Sequence, residues 1–442
     1  MPQASFLFPK GFLWGTATAA HQVEGNNTNN SWWNWEQQPG RIVHGQKSGL
    51  ACDWWGGRWQ EDMDRAVETH QNAHRFSVEW SRIQPAPDRW DESALDMYRE
   101  MLRGMHERGI EPMVTLHHFS DPMWLVEQGG WETEKVVPLF EAYTKKVVEA
   151  LKEYVHLWVT INEPNVYTYG GYLNGGFPPG KNDFNLAMKV MINLARGHAV
   201  SYRAIHALQP DAQVGIALNY RSLVPAHAWS PLDKWAAQTQ AQLYNNIFPG
   251  VIKTGRFDAI IKKMNMPEVA GTQDFLGINY YTRDQVVFHL LKPDQLFGKR
   301  YYREGVELST TGFLANEPEG MIEALRWGAS FKVPLMVTEN GVEDSGDKLR
   351  PRYLIQHVHQ MWRGVTNSFP IKGYFYWSLV DNFEWERGWT QRFGLWELEV
   401  ETQVRRKRGT VDLYAQICQN NGLTHDMVSQ FAPDLTPKLF PE

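Results

Sequence analysis

Two glutamates stand at the ends of short apolar segments, where a carboxylate could do acid and base chemistry. Glu163 comes just after the run 157–161, and Glu339 follows the run 335–338. Such apolar and β-branched residues are typical of strands that are covered on both faces. Pro164 lacks an amide hydrogen and disfavours helix at the preceding residue, which predicts that the first strand ends at Glu163. A fold must bring the two carboxylates together.

Polar or amphipathic side chains recur where other apolar runs end, at positions where core residues would be expected. In a barrel of parallel strands these ends converge on one mouth. Two carboxylates facing each other across such a cavity suit glycoside hydrolysis, in which one acid protonates the leaving oxygen and the other attacks the anomeric carbon or activates water. The strand-end residues are Gln22, Arg75, His118, Asn162, Glu163, Asn219, Asn279, Tyr281, Glu339 and Trp377.

Other chemistries are poorly supported at these strand ends. The set contains no cysteine or serine nucleophile beside a base. His117 and His118 could ligate a metal, but adjacent residues of a strand point to opposite faces and cannot easily share one ion. The sequence therefore predicts no metal site and no cofactor.

Strands alternate with helices along the whole chain, which indicates a parallel sheet with right-handed crossovers. Eight such units, with no G-x-G-x-x-G after the first strand, favour one closed (β/α)8 TIM barrel spanning residues 1–442 as a single catalytic domain. Long strand-to-helix loops at 22–57, 282–315 and 380–408 would cover the active face. The predicted strands are 12–20, 73–80, 112–116, 157–161, 214–218, 275–278, 335–338 and 374–377, and the predicted helices are 58–71, 93–108, 134–154, 185–208, 233–248, 317–328, 351–366 and 410–418.

Composition excludes several classes of partner. The 442 residues carry a net charge of −6 without a long run of either sign, so no nucleic-acid surface is predicted. The sequence shows neither a signal peptide nor an apolar segment long enough to span a membrane. Cys52 and Cys418 are interpreted as buried thiols in a reducing compartment, which favours a cytoplasmic location. Whether the chain is a monomer or a homo-oligomer stays open.

Several motifs together resemble glycoside hydrolase family 1, the β-glucosidase family, over nearly the whole chain. The segments Thr160–Pro164 and Val337–Gly341 are similar to the acid/base and nucleophile signatures of that family, and residues 8–18 to its N-terminal signature. The remaining matches are 51–53, 75–77, 80–83, 277–281, 376–379, 381–385 and 392–395.

The resemblance implies a (β/α)8 barrel and a retaining mechanism with carboxylates about 5–5.5 Å apart. It makes Glu339 the nucleophile and Glu163 the acid and then the base. Arg75 would lower the pKa of Glu339, and Tyr281 would donate a hydrogen bond to it. Asn162 would read the sugar 2-hydroxyl. The substrate-binding residues implied are Gln22, His118, Asn162, Asn279, Tyr281, Trp377, Glu384, Trp385 and Phe393.

Two departures from the family pattern concern the sugar contacts. Phe119 stands where the family usually has tryptophan, so an indole N–H is missing. Phe313 replaces the tryptophan that often precedes a Pro-Glu-Gly segment, which leaves the aglycone site unassigned, and Trp327 is interpreted as a core residue. Small β-glucosides and cellooligosaccharides are the implied substrates, with selectivity among glucose, galactose and fucose left open.

Four alternatives to β-glucosidase activity differ in the residues that they require. A 6-phospho-β-glycosidase is disfavoured because Glu384 would repel a phosphate dianion. A thioglucosidase tends to have glutamine at the position of Glu163, and a sugar-binding homologue would have lost one of the two carboxylates. A transglycosylase that uses the same covalent intermediate remains open, because the outcome depends on which hydroxyl reaches that intermediate.

Overall fold

A computed structural model describes residues 4–441 and shows a closed barrel of eight parallel strands. The strands run around the barrel in the order β1 to β8, and β8 pairs with β1 to close it. The predicted fold class and all eight predicted strands are confirmed, with bounds that differ by a few residues. The strands are β1 Leu13–Ala17, β2 Ala73–Ser77, β3 Glu111–His117, β4 Leu157–Asn162, β5 Gln213–Asn219, β6 Phe275–Asn279, β7 Leu335–Asn340 and β8 Ile371–Trp377.

Burial explains why these strands appear in the sequence as apolar runs. Every residue of β2, β4, β6 and β7 is buried, because side chains alternate between the barrel interior and the surrounding helices. The polar residues at the carboxyl ends are buried as well, so they must be satisfied by each other or by a ligand.

Helices separate the barrel strands, and the predicted set is confirmed apart from one boundary. The longer helices are Trp59–Glu68, Glu92–Glu107, Val136–Leu151, Phe184–Leu208, Pro231–Ala241, Ile247–Thr254, Glu319–Ala329, Arg350–Thr366 and Thr410–Asn420. Shorter helices are Ala20–Val23, Ser31–Glu36, Trp80–Ile83, Met123–Glu127, Pro164–Thr168, His425–Phe431 and Thr436–Leu439. None of the helices among residues 4–441 is long and apolar enough to cross a membrane.

The helix predicted over 233–248 does not end before Pro249. A π-helical turn at Gln242–Asn246 divides it, and a second helix continues from Ile247 to Thr254. Pro249 falls in the first turn of that second helix, where its missing amide hydrogen costs no intrahelical hydrogen bond. The expected stop at proline is therefore wrong here.

Three long loops follow β1, β6 and β8 and lie at the carboxyl end of the barrel, as predicted. The loop after β8 contains a hairpin of Trp396–Glu399 with Val404–Lys407. A buried ion pair holds this loop in place, because Arg408 Nη1 and Nη2 each lie 2.9 Å from an oxygen of the Asp381 carboxylate. A separate sheet is built from Ser222–Pro225, Arg283–Phe288 and Gly298–Tyr301. Small pairs join Ser5–Leu7 to Gly422–Thr424 and Arg256–Asp258 to Lys263–Asn265.

The two cysteines are buried and unpaired. The interpretation of Cys52 and Cys418 as buried thiols is confirmed.

Candidate active site

Glu163 stands at an abrupt turn between β4 and a short helix. The strand ends at Asn162, Glu163 takes a left-handed conformation with φ 44° and ψ 56°, and Pro164 begins the helix Pro164–Thr168. The Glu163 amide donates to the carbonyl oxygen of Ala217 on β5 at 2.7 Å. A left-handed conformation is unfavourable for a residue with a side chain, and such strain is concentrated at functional sites. The turn places the carboxyl at the carboxyl end of the barrel.

Glu339 lies on β7 beside the groups expected to support a carboxylate. Arg75 Nη1 lies 2.6 Å from Glu339 Oε1, and the Tyr281 hydroxyl donates to Oε2 at 2.6 Å. Arg75 is fully buried and Glu339 is 3 % exposed. A buried guanidinium next to the carboxylate favours its ionised form.

Glu163 is surrounded by neutral amides instead of a cation. Asn219 Nδ2 donates to Glu163 Oε1 at 2.8 Å, and Asn279 Nδ2 donates to the same oxygen at 2.9 Å. Asn219 ends β5 and Asn279 ends β6, so neighbouring strand ends supply both donors. The two carboxyls therefore differ in their partners: a full charge and a phenol at Glu339, two amides at Glu163.

The pKa shifts of the two carboxyls agree with this difference in their hydrogen-bond partners. Burial and the charge of Glu339 raise the pKa of Glu163 to about 8, while Asn219, Asn279 and Arg75 oppose the shift. Burial also raises the pKa of Glu339, and there Arg75, Tyr281 and Asn279 all act against it. The predicted lowering of the Glu339 pKa by Arg75 is present, but burial outweighs the guanidinium, so the net shift of that pKa is upward. Glu163 is the carboxyl better suited to hold a proton.

A hydrogen-bonded chain runs from Arg75 towards the wall of the cavity. Arg75 Nη2 donates to Asn162 Oδ1 at 2.6 Å, which points the Asn162 amide nitrogen at His118 Nε2, 2.9 Å away. Burial and the Arg75 charge hold the pKa of His118 well below its ordinary value, so the ring is neutral and accepts this bond. His118 Nδ1 is then the protonated nitrogen, and it is buried with no partner among the described residues.

A second group of polar atoms surrounds Glu384. Gln22 Nε2 lies 3.2 Å and Trp377 Nε1 lies 3.4 Å from Glu384 Oε2. Burial raises the pKa of Glu384 well above its ordinary value. Within residues 4–441, Gln22 Oε1 is buried without a hydrogen-bond partner. Like His118 Nδ1, it is a polar atom that a ligand hydroxyl could satisfy.

An open cavity lies over both glutamates. Eight of the predicted site residues line it: His118, Glu163, Tyr281, Glu339, Trp377, Glu384, Trp385 and Phe393. Four others are fully buried and bond to lining residues: Gln22 to Glu384, Arg75 to Glu339, Asn162 to His118, and Asn279 to Glu163. The structure thus brings the whole predicted set together.

Sequence reasoning missed part of the cavity wall. Asn219 was recognised only as a strand-end residue, and it bonds directly to Glu163. Its neighbours Tyr220 and Arg221 could have been found by extending the strand-end pattern. Phe177 and Tyr244 gave no such signal, because they come from a loop and a helix whose approach the local sequence does not reveal. The other unassigned lining residues are Val166, Thr282, Phe313, Leu314, Glu386, Arg387 and Gln391.

His117, which precedes the cavity residue His118, faces away from the cavity, and its Nε2 forms a hydrogen bond with Asp121 Oδ1 at 3.0 Å. In the part of the chain that the structure describes, no group of three or more His, Cys, Asp or Glu side chains could hold a metal ion.

A (β/α)8 barrel with two buried glutamates and a ring of amide, imidazole and indole groups at its carboxyl end defines a glycoside hydrolase. The chain belongs to glycosyl hydrolase family 1, whose family model matches residues 4–423.

Known relatives agree with this assignment along their whole length. The chain is 32% identical to β-glucosidase A of Thermotoga maritima, over 94% of this chain and 98% of the relative. It is 28% identical to a β-galactosidase of Pyrococcus woesei, over 95% of this chain and 98% of the relative.

Solved structures show the same architecture. A β-glycosidase from Pyrococcus horikoshii superimposes with a TM-score of 0.90 and 35% identity, covering 97% of this chain and 98% of the other. The T. maritima β-glucosidase in complex with glucoimidazole gives a TM-score of 0.89 and 31% identity, covering 95% and 100%.

Proposed function

We propose that this family 1 enzyme is a retaining β-glucosidase that releases terminal β-glucosyl residues from small β-glucosides and cellooligosaccharides. The observation that carries the proposal is the unequal support of the two glutamates. Glu339 has the cation Arg75 and the Tyr281 hydroxyl, whereas Glu163 has two amides and a pKa raised to about 8. Such a pair provides a nucleophile and a proton donor at neutral pH.

The reaction then has two halves. First, a Glu339 oxygen attacks the anomeric carbon while Glu163 gives its proton to the leaving oxygen, so the glycosidic bond breaks and a glycosyl ester forms. Next, Glu163 takes a proton from water, the hydroxyl adds to the anomeric carbon, and the Glu339 carboxylate leaves. Loss of the Glu339 charge in the first half lowers the pKa of Glu163 and so prepares it to act as a base.

The sugar would be held by the polar atoms that lack protein partners. Gln22 Oε1 and His118 Nδ1 are buried and unbonded within the described residues, and Glu384 lies beside Gln22. We assign Asn162 to the 2-hydroxyl, Trp377 to the face of the sugar ring, and Trp385 to a further contact with the sugar. Asn279, Tyr281 and Phe393 complete the set. β-Fucosides and β-galactosides are further candidate substrates.

We further propose that residues 1–442 form one catalytic domain, supported by the barrel closure between β1 and β8 and by the pairing of Ser5–Leu7 with Gly422–Thr424. The two unpaired cysteines support a reducing, cytoplasmic location.

Product balance with an aryl β-glucoside tests the reaction type. Equal amounts of aglycone and glucose support hydrolysis, excess aglycone would show glycosyl transfer, and no release would show a binding protein.

The roles of the two glutamates are tested with azide and a 2,4-dinitrophenyl β-glucoside. Glu339→Gly should abolish turnover, and azide should restore it and give the α-glucosyl azide, because azide enters the face that the missing carboxylate occupied. Glu163→Ala is the matched control: its rate should fall by about 10²–10⁴-fold, and azide should give the β-product. The opposite pairing of products would reverse the roles.

A further inference from the structure

We propose that Asn219 is a positioning residue that controls when Glu163 holds its proton, and that Tyr244 holds Asn219 in the required orientation. The proposal rests on the proposed function, since it assigns a task within the second half of that reaction. The sequence indicates Asn219 only as a strand-end residue and does not indicate Tyr244 at all.

The hydrogen bonds of Glu163 show which oxygen carries the proton. Asn219 Nδ2 and Asn279 Nδ2 donate to the same oxygen, Oε1, at 2.8 and 2.9 Å. Among residues 4–441 these two are the hydrogen bonds that the Glu163 side chain accepts. An oxygen that accepts two N–H groups has both lone pairs engaged and cannot also bind a proton. The acid proton therefore belongs on Oε2, which stays available to the leaving oxygen and later to water.

The orientation of the Asn219 amide is set by its other neighbours. The Tyr244 hydroxyl donates to Asn219 Oδ1 at 3.1 Å, which turns Nδ2 towards Glu163. Asn165 Nδ2 donates to the main-chain oxygens of Asn219 at 2.8 Å and Tyr244 at 3.1 Å. Because Asn165 lies two residues after Glu163, it ties the three residues into one network.

Tyr244 reaches this network from the π-helical turn Gln242–Asn246. The next residue, Asn245, bonds through its side chain to both the amide and the carbonyl of Arg221, at 3.0 and 2.9 Å. A π-turn inserts one residue into a helix and is frequent at functional sites. Here it allows consecutive side chains, Tyr244 and Asn245, to reach the segment that follows β5.

Several charged and titratable groups face Glu163, and the two amides oppose the rise in its pKa that burial and Glu339 cause. Burial and the Glu339 charge raise the pKa of Glu163, whereas Asn219, Asn279 and Arg75 lower it. The hydroxyls of Tyr281 and Tyr244 also face it. Once Glu339 is esterified its charge is gone, and the two amide donors then favour the ionised Glu163 that must accept a proton from water. Asn219 should therefore matter most in the second half of the reaction.

The variant Asn219→Leu removes the amide donor and keeps the branched shape of the side chain. We expect the basic limb of the kcat/KM profile for an unactivated β-glucoside to move up by about 0.5–1 pH unit, because one donor to the carboxylate is lost. On a 2,4-dinitrophenyl β-glucoside, whose second half-reaction limits turnover, kcat should fall by about 10-fold, with a parallel fall in KM. A purely structural defect would instead lower kcat/KM on both substrates and leave the limb in place.

The variant Tyr244→Phe tests the same network without changing the Asn219 side chain, and it carries the test if Asn219→Leu fails to fold. The limb should move in the same direction by a smaller amount. Tyr169→Phe is the matched control, because its ring packs edge-on against Tyr244 at 6.2 Å but its hydroxyl is outside the network. This control should leave the limb in place.

The outcomes separate the two proposals. If Asn219→Leu and Tyr244→Phe both leave the limb where it is in an enzyme whose basic limb depends on Glu163, the role of Asn219 is overturned and the β-glucosidase assignment stands. If the wild type releases no aglycone from any aryl β-glucoside, or if Glu163→Gln keeps full activity and the same limb, the assignment of Glu163 falls, and the role of Asn219 falls with it.

Discussion

His118 and Phe119 are adjacent in the sequence and give the cavity opposite chemistry. Within residues 4–441, His118 Nδ1 has no hydrogen-bond partner, whereas Phe119 presents only an apolar ring. Phe119 is buried and left-handed, with φ 67°, and its ring packs against His118, Phe177 and Trp385 at 5.0–5.5 Å. The cavity wall thus has an apolar patch at Phe119, the position where the family resemblance led us to expect an indole N–H.

Restoring the indole by Phe119→Trp should strengthen glucoside binding. One added hydrogen bond to a sugar hydroxyl corresponds to about 1 kcal/mol, or about a fivefold gain in kcat/KM. The measurement is kcat/KM on an aryl glucoside and on a panel of its deoxy analogues. The gain should vanish for the analogue that lacks the contacted hydroxyl. An equal gain on every analogue would attribute the effect to packing and contradict the prediction.

At the level of elements, the ends of β7 and β8 approach so closely that only glycine fits between them. A Cβ added at Gly341 would lie 2.1 Å from the carbonyl oxygen of Trp377. The preceding residue, Asn340, donates to the carbonyl oxygen of Tyr280 at 2.6 Å and accepts from the Tyr374 hydroxyl at 2.9 Å. These contacts fix the segment directly after Glu339 and the position of Trp377 in the cavity wall.

Gly341→Ala should therefore damage both stability and catalysis. The added methyl must push apart the backbone of β7 and β8, which costs about 1–3 kcal/mol and displaces Glu339 from Trp377. The melting temperature and kcat/KM should fall together. Gly346→Ala is the matched control, because its added Cβ would have 3.8 Å of clearance in an exposed turn. A Gly341→Ala enzyme with wild-type melting and kinetics would refute the close-approach argument.

At the level of the whole molecule, a buried histidine links the strand layer of the barrel to its helix layer. His198, on the helix Phe184–Leu208, accepts from the Thr160 hydroxyl on β4 at 2.7 Å and donates to the Thr272 carbonyl at 2.6 Å. Burial lowers the pKa of His198 to about 4. The ring is thus neutral in the folded chain and protonates near its ordinary pKa when unfolded.

This difference predicts a loss of stability in acid. Above about pH 6.5, His198 is neutral in both the folded and the unfolded chain and does not change the free energy of unfolding. As the pH falls from there towards 4, only the unfolded chain binds the proton, so the free energy of unfolding decreases by at most about 1.4 kcal/mol per pH unit. His198→Gln should lower the melting temperature at neutral pH, because the packing is imperfect, and flatten its dependence on pH. His156→Gln is the control, since that side chain is 54% exposed. An equal pH dependence in wild type and His198→Gln would refute the linkage.

The sequence determined the fold and the identity of the two glutamates. The barrel strands are apolar runs because they are buried on both faces, and most of them end in polar residues because the strand ends form the cavity. The pair Glu163 and Glu339 could therefore be found from their positions alone. Family motifs added Glu384, Trp385 and Phe393, which the structure places in the lining of the same cavity.

Only the tertiary structure decided how these residues act on one another. The local pattern of apolar and polar residues indicates which positions are buried and whether a segment is a strand or a helix. It does not indicate a hydrogen bond such as that of Asn219 to Glu163, which joins residues 56 positions apart. The continuation of the helix past Pro249 and the approach of Tyr244 depended on a π-turn that faces β5. The net direction of the Glu339 pKa depended on burial, which a single sequence does not measure. The sequence thus supplied the groups, and their packing set the protonation state of each.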